Sequence, residues 1–522
     1  MKRPSNSVRA PGLIRAAAAG LLALGAVGAA VAAPEREARA PNIVFLLADD
    51  LGYGDLGSYG QQDIRTPNLD RMARDGMRFL RHYAGSPVCA PSRGVLLTGL
   101  HPGHAHVRNN RTIEPEGQEP LPADAVTLPQ LLQQQGYATG AFGKWGLGGP
   151  GSSGDPLRQG FDRFFGYLCQ REAHNYYPTY LWNNDKRTAL DNPAFSSRQA
   201  FPEGLDPSWP ENYAQYSGSE YAPDLYTEQA LDFIREQRAR PFFLYYATTV
   251  PHVALQVPED SLAEYLGRWP ETPYPGDKAY LPHFAPKAAY AAMITRMDRD
   301  IGRIVALVEE LGLGEETLFV FTSDNGAVDD AGGAELEYFD SNGPLRSGKR
   351  WLYEGGIRVP LIVRWTGVVK PGSVSARVTG FEDWLPTLLA AAGAGQRVPE
   401  HVDGISFLPA LRGERQEKRP FLYREFPAFG GQQAVWWGNW KGMRMNLLRN
   451  PPDSRIELYH LGRDPGEEHD VAAQHPDVVQ RIAEIMQREH RPSGLFPIPA
   501  LDDSEFRFGV EARLPHRADP SE

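Results

Sequence analysis

The chain has 522 residues, 41% of them hydrophobic, and a net charge of −11 from 65 acidic and 54 basic side chains. That apolar share excludes a disordered chain, and the acidic balance excludes the basic stripe of a nucleic-acid surface. An anionic small substrate stays open, because it needs only a few local cations.

The N-terminus carries Lys2, Arg3, Arg9 and Arg15, then a run of small apolar residues from Ala16 to Ala33, with Ala30-Val31-Ala32 in the small-x-small pattern of a cleavage site. Residues 1–33 therefore read as an export signal rather than a membrane anchor. The expectation is a mature chain in the periplasm or outside the cell, with no membrane span left after cleavage. The chain has two cysteines, Cys89 and Cys169. They make neither a disulfide framework nor a zinc pattern.

From Asn42 to about Gly393 apolar runs of strand length alternate with amphipathic stretches. This is the pattern of an α/β domain on a large, mostly parallel sheet with helices on both faces. Strands are predicted over Asn42–Ala48, Tyr137–Phe142, Phe242–Ala247, Leu318–Thr322 and Pro360–Trp365. Helices are predicted over Leu69–Met77, Thr127–Gln135, Asp224–Gln237, Lys287–Leu311 and Asp383–Ala392. The Gly-, Pro- and Tyr-rich stretches Gly146–Pro223 and Val250–Pro286 read as long loops that build a substrate pocket. After about Gly413 the pattern changes to short alternating strands, with Gly438-Asn439 as a hairpin signal, followed by a helix over Pro476–His490. The domains expected are a main domain over 41–412, a small antiparallel α+β module over 413–495, and a tail over 496–522.

Polar groups gather where the predicted strands end, which is where open parallel sheets bind ligands. Asp49-Asp50, Gly143-Lys144, Pro251-His252 and Asp324-Asn325-Gly326 each follow a strand, and Lys349 precedes the last one. Asp49, Asp50, Asp324 and Asn325 form an all-oxygen set that suits Ca²⁺ or Mg²⁺ better than zinc. Taken singly these are ordinary features: a helix cap, a turn tripeptide, surface lysines and a loop histidine. Their coincidence in one order is what raises them.

The run Cys89-Ala90-Pro91-Ser92-Arg93, followed by GVLLTG, resembles the sulfatase signature. PNIVFLLADDLGYGDLGSYG, GKWGLG, TSDNG, GGIRVPLIVRWTG and the closing ELYHLGRDPGEEHDVA extend the resemblance to formylglycine-dependent sulfatases over nearly the whole mature chain. The resemblance implies that a modification enzyme oxidises Cys89 to formylglycine, whose aldehyde hydrate is the nucleophile. It implies that Asp49, Asp50, Asp324, Asn325 and an oxygen of the modified Cys89 hold one divalent ion, Ca²⁺ before Mg²⁺. It further implies that Arg93, Lys144, His252 and Lys349 hold the sulfate, with His252 protonating the leaving alcohol before sulfate loss restores the aldehyde. Pro91 and Ser92 read as the first turn of a helix that starts at Cys89, with exposed N–H groups turned toward an anion.

One departure stands out. Many sulfatases read Gly-Lys-Trp-His-Leu-Gly where this chain has Gly146 in place of the histidine that acts as a base. His174, His104 and His106 are the candidates to replace it, His174 doubling as a substrate contact. Asn175, Tyr176, Tyr177, Tyr180, Trp182 and Asn183 suit a sulfated carbohydrate, with an aryl sulfate as an artificial substrate. The rival readings are a phosphomonoester or phosphonate hydrolase of the same superfamily and an inactive sugar-binding homologue.

Overall fold

Every residue of Asn42–Asp49 (β1) is buried, because this strand lies in the middle of a ten-stranded sheet with apolar layers on both sides. The computed structural model describes residues 40–502 except 279, 329–331 and 450–454. The segment read as an export signal and the tail from residue 503 lie outside the described residues.

The other strands of the large sheet are Met77–Tyr83 (β2), Ala138–Lys144 (β3), Arg163–Tyr167 (β4), Tyr180–Asn183 (β5), Lys186–Ala189 (β6), Phe242–Pro251 (β7), Thr317–Ser323 (β8), Arg358–Trp365 (β9) and Ser373–Gly380 (β10). Their spatial order is β10-β2-β9-β8-β1-β7-β3-β4-β5-β6. The core β8-β1-β7-β3-β4 is parallel throughout. The strict alternation of a pleated strand sends Ile43, Phe45 and Leu47 into one apolar layer and Val44, Leu46 and Ala48 into the other. Helices Cys89–Thr98, Leu128–Gln133 and Trp384–Ala391 pack on the first face. Helices Pro67–Asp75, Ala222–Gln237 and Pro286–Glu310 cover the second. The predicted α/β architecture is present.

Three details differ from the sequence reading. The helix placed over Leu69–Met77 ends at Asp75, and Met77 opens β2. Arg78 and Arg81 disguised that strand because one of its faces is only half buried. The stretch taken as a loop after Gly146 contains β4, β5 and β6. Finally, β9 runs antiparallel to both neighbours, so its start, not its end, lies beside the end of β8. That direction is why Lys349 precedes its strand while the other site residues follow theirs.

A second sheet holds Leu422–Phe426 (β11), Gln432–Trp437 (β12), Trp440–Arg444 (β13) and Glu457–His460 (β14), all antiparallel. Gly438-Asn439 forms the β12–β13 turn as expected. Helix Pro476–Glu489 lays Val478, Ile482, Ile485 and Met486 against Tyr423, Val435 and Leu458. No helix among the described residues is long and apolar enough to cross a membrane.

Candidate active site

Strand register assembles the site. Ala48 pairs with Ser323, and Asp49 pairs with Pro251 across an irregularity in the ladder. Gly143 pairs with Ala247. Asp49-Asp50, Asp324-Asn325, Lys144 and His252 therefore emerge together at one end of the sheet. Gly143 has φ +105°, and a Cβ there would lie 2.0 Å from the Ala247 carbonyl oxygen. Only glycine lets β3 come this close to β7. The backbone N–H of Lys349 donates to Ala327 O (2.8 Å) and fixes that residue just past β8.

Cys89 is the first residue of its helix and is 1% exposed. Its Sγ lies 3.2 Å from Asp49 Oδ1, 4.0 Å from Asp50 Oδ1 and 3.5 Å from Lys349 Nζ. Lys144 Nζ donates to Asp49 Oδ2 (2.5 Å), and Lys349 Nζ lies 2.6 Å and 2.8 Å from the two oxygens of Asp50. His252 Nε2 is 3.5 Å from Asp50 Oδ2, while its Nδ1 bonds the Val253 carbonyl. With Nδ1–H donating there, Nε2 is the nitrogen turned to the site. The helix start is not exposed as expected: it is buried, and Asn110 Oδ1 already accepts the Ala90 N–H (3.0 Å).

Arg93, read as forking onto sulfate or holding the hydrate, is bonded to protein groups. Its Nε and Nη2 both donate to Asp324 Oδ2 (3.0 and 2.9 Å), and its Nη1 donates to the Lys144 carbonyl. A fully buried guanidinium committed in this way positions Asp324 rather than reaching outward.

Burial works against every ionised group here, and the partners decide the outcome. Asp49 is held well below the usual carboxylate range: burial opposes this, but Lys144, His252, Arg93 and Lys349 together prevail. Asp324 goes the other way, to about 6, because burial and then the Asp49 charge outweigh Arg93. Burial, then Asp324 and Asp49, push the Cys89 thiol up. Lys349 is raised by Asp50 against the pull of burial. His252 is pushed down by burial and then by Lys349.

The donor set offers ligands for a cation. Ligand atoms of Asp49, Asp50, Cys89 and His252 lie within 4.8 Å of one another. Asn325 Nδ2 is spent on Asp50 Oδ1 (2.7 Å) and Gly326 O, but its buried Oδ1 has no partner. A buried carboxamide oxygen left unpaired beside three carboxylates is what a cation would satisfy. Arg93, Lys144 and Lys349 already balance the three aspartates, so the charge of an added ion would remain to meet an anionic ester.

The three candidate histidines separate cleanly. The His174 ring stacks on His252, with centroids 4.6 Å apart and planes 11° from parallel, and its buried Nδ1 has no partner. Burial, then His252 and the two lysines, push it down. His104 is elsewhere: its Nδ1 bonds Asp403 (2.9 Å) and its ring stacks on His101. His106 Nε2 is 3.3 Å from Glu119. Gly146 has φ +84°, and a Cβ there would meet the Gln170 side chain at 2.9 Å. Gln170 thus fills the space a side chain at 146 would need, and it hydrogen-bonds Asn110 and Gln118.

Tyr176 and Tyr177, expected as sugar contacts, are core residues instead. Tyr176 is fully buried, with its hydroxyl 2.6 Å from the carbonyls of Thr249 and His252, so it fixes the His252 loop. Tyr177 is buried as well, and Tyr180 and Trp182 donate to Glu116. Sequence reasoning missed Asn110, Gln170 and Tyr280, whose ring meets both stacked histidines edge-on. Amides and a lone tyrosine carry no spacing signal that could have found them.

A cysteine at a helix start, set among strand-end carboxylates and lysines on a large α/β sheet, is an arrangement suited to anionic esters. The sulfatase family model matches residues 41–394, and a model described as N-sulphoglucosamine sulphohydrolase, C-terminal, matches residues 346–491. N-acetylgalactosamine-6-sulfatase of Canis lupus familiaris is 32% identical over 510 residues, covering 90% of this chain and 89% of that protein. Arylsulfatase A of Homo sapiens is 34% identical over 498 residues, 89% of each chain. The crystal structure of Ps i-CgsB in complex with k-i-k-neocarrahexaose is similar with a TM-score of 0.70 and 27% identity, covering 87% of this chain and 94% of that one. The chain belongs to the sulfatase family and is a sulfuric ester hydrolase.

Proposed function

We propose that the protein hydrolyses sulfate monoesters of a carbohydrate, using a formylglycine made from Cys89 and one divalent ion, Ca²⁺ before Mg²⁺. The observation that carries this reading is the setting of Cys89: 3.2 Å from Asp49, 3.5 Å from Lys349, and 4.0 Å from Asp50, the carboxylate to which Asn325, its own oxygen unpaired, donates. Asp49, Asp50, Asp324 and Asn325 would hold the ion, which would polarise the sulfate and acidify the attacking hydroxyl. Lys144 and Lys349 receive the ester's oxygens and Arg93 keeps Asp324 in place; the negative charge of the bound ester draws a proton onto His252 Nε2, which passes it to the departing alcohol. His174, stacked on His252 with a free ring nitrogen, takes the base role that Gly146 does not fill. A carbohydrate is supported by the sugar sulfate named for the animal relatives and by the neocarrahexaose in the bacterial structure. Export, read from residues 1–33, belongs to the same proposal.

The test is sulfate release by protein made in a host that modifies sulfatase cysteines, supplied with calcium. Galactose-type 4- and 6-sulfates, nitrophenyl sulfate and nitrophenyl phosphate are compared. The expected result is sulfate release from a sugar, with phosphate cleaved far more slowly. Faster cleavage of the phosphate would overturn the reading.

A further inference from the structure

A cavity of about 410 Å³ opens beside the edge strand of the large sheet, lined by Arg81, Arg377, Lys418, Arg419, Phe421 and Trp436, with the Gly438-Asn439 turn closing one side. In a chain of net charge −11 this is a concentration of cations, and no lining residue is acidic. Arg419 is neutralised by Glu382 and Asp383. The other three are not: among the described residues, none of Arg81, Arg377 or Lys418 is ion-paired to a carboxylate, the carboxylates of the region being taken by Arg419 and Arg424.

What these cations do hold is neutral. Arg81 donates from Nη1 to Asn439 Oδ1 (2.9 Å) and from Nη2 to Gly438 O (3.0 Å), and its buried Nε has no partner. Arg377 donates to the Glu417 carbonyl (2.7 Å). Burial and the neighbouring Arg419 push Arg377 below the usual guanidinium range, against the pull of Asp383. A half-buried cation without a counter-ion is costly unless an anion arrives from outside. The β10–β2 ladder also changes register between Ser375 and Val378. Residues 376 and 377 thus lie outside the regular pairing on the cavity side.

Half-buried Phe421 adds an apolar edge while Trp436 is buried behind it, so the cavity joins a small apolar edge to uncompensated cations. That combination fits a pyranose ring carrying an anionic group. A cavity of this volume is within the range of small-ligand sites. Four strand spacings separate β10 from β1 in the sheet order, which places the cavity roughly 19 Å to the side of the strand that ends in Asp49. It is not part of the Cys89 centre.

We propose that this cavity is a second saccharide site, which holds a sulfated oligosaccharide by its anionic groups while hydrolysis occurs elsewhere on the protein. The proposal rests on the sulfated-carbohydrate reading above. It predicts dependence on substrate length: an oligosaccharide gains affinity from the cavity, and a nitrophenyl sulfate does not.

The experiment uses the full chain carrying Arg377→Gln and Lys418→Gln, which keep much of the side-chain stem and remove the charge. Binding of size-defined sulfated oligosaccharides is measured calorimetrically in a Cys89→Ala background, and steady-state kinetics in the otherwise unaltered protein. Loss of two charge-assisted contacts should weaken oligosaccharide binding at least about tenfold. KM for the oligosaccharide should rise, with kcat and nitrophenyl sulfate turnover unchanged. Unaltered oligosaccharide affinity, or equal binding of the desulfated oligosaccharide to the parent protein, would overturn the proposal. If the unaltered protein cleaves no sulfate ester while the charge-dependent binding persists, the cavity stands and the catalytic reading falls.

Discussion

Two of the clusters of buried charge among the described residues differ in what they leave open. At the junction of the two sheets, Lys441 Nζ sits 3.1 Å from Glu354 and 2.7 Å from Glu467. Glu354 also accepts from Tyr83 Oη (2.9 Å) and Trp436 Nε1 (2.8 Å), and Glu467 accepts the Glu354 N–H (2.7 Å). Neutral donors close that network around Glu354, and Glu467 Oε1 is left to the Lys441 ion pair alone. At the strand ends, three carboxylates and three cations are likewise buried, but a carboxamide oxygen lacks a partner and the Cys89 thiol stands among them. Buried charge alone is therefore a poor marker of function. An open acceptor beside a reactive group is a better one.

The comparison is broken most sharply by mutation. Asp324→Ala should lower turnover by about 10⁴-fold or more, on the scale of losing a central catalytic group, and should abolish metal binding as read by elemental analysis. Calcium at about 100 times its Kd should stabilise the parent protein by about 2.7 kcal/mol. This gain should vanish in Asp324→Ala. Lys441→Met should do the opposite. It strands two buried carboxylates and should cost about 3–5 kcal/mol in chemical denaturation, yet leave metal binding and kcat of the folded protein intact. A Lys441→Met protein that keeps its stability but loses turnover would erase the distinction.

His252→Ala should reduce turnover of a sugar sulfate by about 10²–10⁴-fold and that of an activated nitrophenyl sulfate much less. Equal losses would make His252 a binding residue. Rapid-quench kinetics then separate the stacked pair: the parent enzyme should show no burst, and His174→Ala should show a burst followed by a slow steady state. A burst in the parent would mean that nothing replaces the base missing at Gly146. Gly146→His is a poor probe, because φ is +84° there and Gln170 occupies the space.

The smallest effect concerns pH. Burial, with Glu354 adding to it, raises Glu467 from 4.5 to about 7 against the pull of Lys441. The folded state thus holds that proton more tightly than the unfolded chain. Glu467 therefore makes stability fall as pH rises through the window from 4.5 to about 7. Glu467→Gln should flatten this slope in unfolding experiments at several pH values, and an unchanged slope would assign it to other carboxyls.

What the sequence revealed and what it hid follow one physical division. NIVFLLADD and TSDNG were legible because a fully buried strand is continuously apolar and its polar end is adjacent in the chain. The small antiparallel sheet was legible through alternation and Gly438-Asn439. β2 was hidden by Arg78 and Arg81 on its half-exposed face. The direction of β9 was hidden because direction is a property of the assembled sheet. At the site, residue types pointed to Asp49, Asp50, Lys144, His252, Asp324 and Lys349, which do come together. The partners of Arg93, the stacking of His174 on His252 and the filling of the Gly146 space by Gln170 depend on contacts between distant segments. Tyr176 shows the converse error, an aromatic in a polar stretch that turned out to be a buried strut.

The central claim is that Cys89 acts only after conversion to formylglycine. The mass of the Cys89 peptide, measured on active protein from its own host, tests this most directly. The expected result is a peptide lighter than the unmodified thiol form, with the modified fraction rising in proportion to specific activity. Fully active protein with an intact Cys89 thiol would contradict it.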